Sequence, residues 1–226
     1  MNIKLEKYKK ILKLKKKFNF TDFELITNYG LFSGDTNLFK TLTIFNLVQE
    51  TGHLKGDIIE LGIHKGNTSL LIKKILDIFK INKRLYLLDH FKGLKHFNIQ
   101  DTLKSKLFEG KYVGKREQIE SFINFFKFKN IKIINKDATK LFPGFFKKKY
   151  CLAYFDMDLY LPTIQGLRAI DNNIVKGGYI VFDEGDKKLW SERKAIKDFL
   201  KGNRKYKYIS IDKTRQPDVI LKKIKN

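Results

Sequence analysis

Two aspartates, Asp156 and Asp158, stand two residues apart just after the apolar run of "CLAYFDMDLYLPT" (residues 151–163). Further on, the run "GYIVFDE" also ends in acids, Asp183 and Glu184. Carboxylates brought close together repel unless a cation neutralises them. Hard oxygen ligands with room left for water suit Mg²⁺ or Mn²⁺ better than zinc. Asp156, Asp183 and Glu184 are therefore candidate metal ligands. Asp158 lies just past the predicted strand end and need not ligate. A free carboxylate there could instead take the proton of a metal-bound hydroxyl. The competing reading makes each acid an ordinary helix N-cap or turn residue.

An earlier stretch, "ELGIHKGNTS" (60–69), joins a predicted strand to a predicted helix through Gly62 and Gly66. Glycines there permit a sharp turn and close approach of the backbone to a ligand. Glu60 has enough lone pairs to accept both hydroxyls of a ribose. The stretch is neither the G-x-G-x-x-G dinucleotide fingerprint nor a phosphate loop, since no G-K-[ST] follows. Asp89 closes the next run, "RLYLLD", at a position that commonly holds a ribose in doubly wound folds. Asp137 follows "NIKIIN". Several separate runs thus deliver acids to what would be one sheet edge, in a chain with only 24 acidic residues against 47 basic ones.

These residues need a scaffold. After Gly56, short apolar runs alternate with helical patterns, as expected of a parallel sheet covered on both faces. The last two predicted strands, "YKYISID" and "DVILKKI", have no helix between them and suggest an antiparallel edge. The architecture expected is a three-layer αβα sandwich. Before it, "KLEKYKKILKLKKKF" and "TNLFKTLTIFNLVQETG" have helical spacing. Residues 1–55 are read as a helical cap or dimerisation segment, and residues 56–226 as the catalytic domain. The amphipathic start would suit a domain face, a partner subunit in a homodimer, or a membrane surface.

Composition narrows the classes. The 226 residues suffice for one domain with a substantial core, and 42% hydrophobic content argues against wholesale disorder. No run is apolar enough for a membrane span, and the start is too charged for a secretory signal. The single cysteine, Cys151, excludes an internal disulfide and a cysteine zinc cluster, so a cytoplasmic setting is expected. The net charge of +23 comes almost wholly from lysine, with six arginines scattered along the chain. Solvated lysine faces would explain it, as would attraction to nucleic acid, an anionic membrane or a phosphorylated substrate. No specific nucleic-acid partner is expected. Trp190 and Phe91 are candidates for an acceptor wall or for the core.

With these motifs assembled, the chain resembles the class I S-adenosylmethionine-dependent methyltransferases. Within that class it is most similar to the macrocin O-methyltransferase group and its sugar-modifying relatives. The resemblance rests on "ELGIHKGNTS", "LLDHFKGL" (87–94), "FDMDLYLPT" (155–163) and "GGYIVFDE" (177–184), in that order. It implies a Rossmann-like fold with a mostly parallel seven-stranded sheet and an antiparallel last strand. It implies that S-adenosylmethionine is held by Glu60, Gly62, Gly66, Asn67, Thr68, Ser69, Asp89, His90, Asp137, Ala138 and Asp156. It also implies Mg²⁺ or Mn²⁺ on Asp156, Asp183 and Glu184, with Asp158 as general base. Many members carry Asp-Asp where this chain has Asp183-Glu184. The acceptor implied is a sugar or sugar-containing small molecule. Alternatives are a catechol- or acyl-CoA-type enzyme acting on a vicinal aromatic diol, and a nucleic-acid-binding protein on an inactive fold.

Overall fold

The computed structural model describes residues 2–212 and 214–225. The chain forms two compact units, Met1–Phe39 and Lys40–Asn226. The first contains α1 (Asn2–Lys17), α2 (Asp22–Thr27) and α3 (Tyr29–Phe32). Thr21 and Glu24 close a reciprocal capping box at the start of α2, and Lys15 pairs with Asp22 at 2.6 Å. α4 (Asp35–Thr51) begins in this unit and ends in the second, where Ile44, Leu47 and Val48 are core residues.

The second unit is built on seven strands: β1 (Asp57–Leu61), β2 (Leu85–Asp89), β3 (Ile131–Asn135), β4 (Tyr150–Phe155), β5 (Ile174–Phe182), β6 (Tyr206–Ser210) and β7 (Val219–Lys223). Their order is β3-β2-β1-β4-β5-β7-β6. β1 to β5 pair in parallel, while β7 runs antiparallel between β5 and β6. The last two strands pair as the sequence suggests, but β7 inserts next to β5 and leaves β6 at the edge.

Alternation along the central strands assigns each side chain to a face. Ile59, Leu61, Ala153, Phe155, Ile180 and Phe182 point to one core, shared with α7 (Tyr160–Ile170) and α8 (Glu192–Leu200). Ile58, Leu85, Leu87, Leu152, Tyr154 and Val181 point to the other, under α4 and α5 (Asn67–Ile78). Ile119 of α6 (Arg116–Phe125) joins the second core. With both faces covered, the strands read as continuous apolar runs. Among the described residues, no helix is long and apolar enough to cross a membrane.

The strand order reverses between β1 and β4, which is where open α/β sheets leave a crevice at the carboxyl ends. The two strand ends touch there. The Asp156 amide donates to the Leu61 carbonyl at 2.9 Å. Gly62, at φ +86°, is so close that a Cβ would lie 2.0 Å from the Asp156 carbonyl oxygen. Gly62 is thus required by strand packing at the mouth of the crevice. Gly62→Ala is expected to destabilise the fold by about 3 kcal/mol or more, read from urea denaturation, because both the left-handed backbone and the contact oppose a side chain.

Candidate active site

At this switch point β1, β4 and β5 deliver their acids together. Glu60, the fourth residue of β1, is buried and accepts a hydrogen bond from the Ser69 hydroxyl on α5. Asp156 and Asp158 follow β4 and are partly accessible, and the buried Asp183 follows β5. Lys40, from α4, reaches into the group. Its ammonium lies 2.7 Å from Asp183 Oδ1 and 5.3 Å from the centre of the Tyr154 ring, and the Tyr154 hydroxyl donates to the same carboxylate oxygen.

One ammonium does not offset so many carboxylates. Burial, then the charges of Asp183, Glu184 and Asp89 set against Lys40, push Asp156 up to about 8. Burial, then Asp156, Glu192, Glu184 and Asp183, push Asp158 well above the carboxylate range. Burial opposes the ammonium form of Lys40, but the facing Asp183, Asp156 and Glu60 outweigh it and raise its pKa. The donors are all carboxylate oxygens, and their repulsion calls for further positive charge, so their chemistry suits a hard dication, although Asp156, Asp183 and Glu184 do not bring one oxygen each within 4.8 Å of the other two. Asp183 is the member already engaged, by Lys40 and Tyr154, and the Gln216 side-chain amide donates to Glu184.

Beside the acids runs a cleft of about 540 Å³, counting its open mouth. Gly62, Asp89, His90, Asp137 and Ala138 line it, as does Met157, between the two aspartates. Asp89 is a structural hub as well as a wall. Its Oδ2 accepts the amides of Ile63 and His64 at 2.8 and 3.1 Å, and its Oδ1 that of Phe91 at 2.7 Å. Burial works against its ionisation, but bonds from His90 and these amides prevail and hold the pKa low. Asp137 is likewise held low against burial, by the Thr139 hydroxyl and amide and by nearby His96 and His90. Glu60, Gly66, Asn67, Thr68, Ser69 and Asp156 do not line this cleft. Thr68 and Ser69 are buried in the first turn of α5, behind the wall.

The sequence matches the family model described as Macrocin-O-methyltransferase (TylF) over residues 35–215. The chain belongs to that family. It is an S-adenosylmethionine-dependent O-methyltransferase. Solved structures agree on the fold. CalS11, described as a calicheamicin methyltransferase, is 21% identical, with a TM-score of 0.80 over 98% of this chain and 93% of its own. A second, apo structure of CalS11, described as a TDP-rhamnose 3'-O-methyltransferase, gives 21% identity and a TM-score of 0.73 over 98% and 95%. The O-methyltransferase NovP gives 16% identity and a TM-score of 0.69 over 82% and 79%. None of the curated proteins matches the sequence closely enough to count as a relative.

Against this family background, three site features emerge from the fold alone. Glu192 opens α8 with no part of its side chain exposed: one oxygen accepts the Met157 amide at 3.1 Å and the other has no hydrogen-bond partner. Burial, then Asp156, push its pKa well up. Lys40 is one lysine among many in the sequence, with nothing local to mark it. The third feature is an aromatic cluster. Trp190, which is buried, packs on Phe108 and Tyr112, at ring distances of 5.2 and 6.4 Å. Tyr112 lines the cleft, and burial and then Asp158, Glu184 and Asp156 raise its phenol. Phe91, the other aromatic singled out by sequence, packs instead against the core under α5.

Burial first, and the charge of Asp156 after it, push Glu60 up to about 8 from an ordinary value of 4.5, although the Ser69 bond works the other way. The folded protein therefore keeps a proton that the unfolded chain releases. The contribution of protonated Glu60 to stability is complete below about pH 4.5 and is lost as the pH rises through about 8. Glu60→Gln, which keeps an acceptor for Ser69, is expected to flatten the fall of Tm between these limits, measured by thermal melts across the range.

Proposed function

We propose that the enzyme transfers the methyl group of S-adenosylmethionine to a hydroxyl of a sugar or sugar-containing small molecule, with Mg²⁺ or Mn²⁺ held by Asp156, Asp183 and Glu184. The observation that carries this reading is the meeting of carboxylates from the ends of β1, β4 and β5 at the switch point, next to the Asp89–Asp137 cleft. The sugar class draws support from the family and from CalS11, whose description names a TDP-rhamnose acceptor.

Each chain residue then has a task. Asp89, kept ionised by its backbone donors, accepts the ribose hydroxyls of the donor. Ala138, with Asp137 beside it, flanks the adenine, and His90 closes the same wall. Gly62, Gly66 and the first turn of α5, from Asn67 to Ser69, shape the loop around the donor, with Glu60 bracing that turn through Ser69. The donor supplies an electrophilic methyl on a sulfonium, and the dication supplies a Lewis acid that lowers the pKa of the acceptor hydroxyl.

Asp158 takes the acceptor proton at its carboxylate oxygen. It can do so only when ionised, and in the structure burial and its acidic neighbours favour its protonated form. Positive charge placed among Asp156, Asp183 and Glu184 reverses that preference. Tyr112, backed by Phe108 and the buried Trp190, offers an apolar face to stack on a ring and exclude water from the proton transfer.

Asp158→Asn is expected to lower kcat by about 10²–10⁴-fold, while affinity for S-adenosylhomocysteine, read by calorimetry, stays within about threefold. Unaltered turnover would remove Asp158 from the reaction. EDTA is expected to lower turnover on a panel of nucleotide sugars by at least about 100-fold, with Mg²⁺ or Mn²⁺ restoring it. Full activity in EDTA would remove the dication, and turnover on catechols alone would replace the sugar by an aromatic diol.

A further inference from the structure

A second set of donors lies outside the acidic cluster, in the lining of the cleft. His90 follows β2, His96 lies farther along the same connection, and Asp137 follows β3. One ligating atom from each of the three lies within 4.8 Å of the other two, and among the described residues this is the group of three that meets that spacing. His96 Nε2 is 3.0 Å from Asp137 Oδ2. The other oxygen of Asp137 is committed to the Thr139 amide and hydroxyl, at 2.9 and 2.7 Å, which fixes the carboxylate with Oδ2 toward the imidazole. A simple His96–Asp137 ion pair would account for that distance. It would not account for His90 being brought to the same point, with its ring centre 6.5 Å from that of His96.

The surroundings of His90 strengthen the case. Its Nδ1 accepts the Lys92 amide at 3.2 Å and lies 3.5 Å from Asp89 Oδ1. Asp89 is itself anchored by three backbone amides, so the ring is held in place beside the cleft. Two imidazoles and one carboxylate suit Zn²⁺, Co²⁺ or Ni²⁺, whereas Mg²⁺ prefers the all-oxygen set beside the cleft. Three protein ligands would leave a coordination position for water, and the partly open cleft provides room for it.

We infer that His90, His96 and Asp137 form a binding site for a transition-metal dication of the zinc class, and that its occupation excludes the methyl donor. The exclusion rests on reading the cleft as the donor site, because these three side chains line it together with Gly62, Leu88 and Ala138. An ion with its water, held between His96 and Asp137, takes the space beside Ala138 that the adenine needs. Binding of either then weakens the other by the same factor.

The test uses the full chain, stripped with EDTA and returned to saturating Mg²⁺ so that the acidic cluster is covered. Zn²⁺ is titrated by calorimetry and Co²⁺ by visible absorption, against the natural chain and His96→Ala. His96 is 46% exposed in its side chain, so the variant is expected to fold, with thermal melts as the control. The expected result is one tight Zn²⁺ per chain in the presence of Mg²⁺, with d–d bands from Co²⁺. His96→Ala should lose about 100-fold in affinity, and S-adenosylhomocysteine and Zn²⁺ should each weaken the other at least about tenfold. Equal zinc affinity in His96→Ala would overturn the site. Independent binding of zinc and S-adenosylhomocysteine would overturn the exclusion. Zinc binding in a chain that binds no S-adenosylhomocysteine would overturn the donor reading of the cleft, and the exclusion with it, while leaving the metal site standing.

Discussion

The structure depends on the repulsion among carboxylates gathered at one point of a sheet. β1 and β4 run side by side and end together, so whatever follows them shares a small volume. Here β1 carries Glu60 one residue before its end, Asp156 and Asp158 follow β4, and Asp183 and Glu184 follow β5. Burying like charges is costly, and the cost appears as protons retained on Asp156, Asp158 and Glu192. Lys40 offsets part of it from α4, through the Asp183 carboxylate. In our proposal a cation relieves that repulsion and lets Asp158 act as a base.

The rest of the unit serves this edge. The two cores differ in composition because strand alternation sends Ile58 and Glu60 to one face, and Ile59 and Leu61 to the other. Glu60 thus falls among apolar neighbours on the α5 side, where Ser69 provides its bond. Gly62 lets the chain leave β1 without striking β4. Asp89 gathers the amides that follow Gly62 and ties the β1 connection to the end of β2, so one carboxylate both shapes the loop and lines the cleft. Across the cleft, the Asp158 carbonyl accepts the Ser191 amide at 2.9 Å, linking the turn before α7 to the one before α8.

The carboxyl edge of the sheet therefore carries two chemically distinct groups. One, beside the cleft, is oxygen-rich and repulsive. The other carries imidazoles and Asp137, whose ionised carboxylate is held by Thr139. In our proposals the donor occupies the cleft and each group takes a different kind of cation. Strand order sets this arrangement: β4 and β5 lie on one side of the switch point and β1, β2 and β3 on the other, so the acidic cluster straddles it while the imidazoles and Asp137 follow β2 and β3.

Much of this was legible in the chain itself. Alternating apolar runs and helical patterns determine a parallel αβα sandwich, since strands buried on both faces need continuous hydrophobicity. The runs ending in Glu60, Asp89, Asp156 and Asp183 announce an acidic edge, because carboxyl ends of parallel strands share one side of a sheet. The motifs around them are specific enough to indicate the family. What the chain order could not convey is distance. Lys40 and Glu192 carry no local signature, and only tertiary packing brings them to the aspartates, as it brings Phe108 and Tyr112 against Trp190. The insertion of β7 beside β5 is likewise a matter of sheet assembly, as two strands in succession can dock in either order. Nor could spacing reveal that Glu60 sits behind the cleft wall or that His90, His96 and Asp137 converge. A side chain's role depends on what lies within a few ångströms, and for these residues the neighbours are far away along the chain.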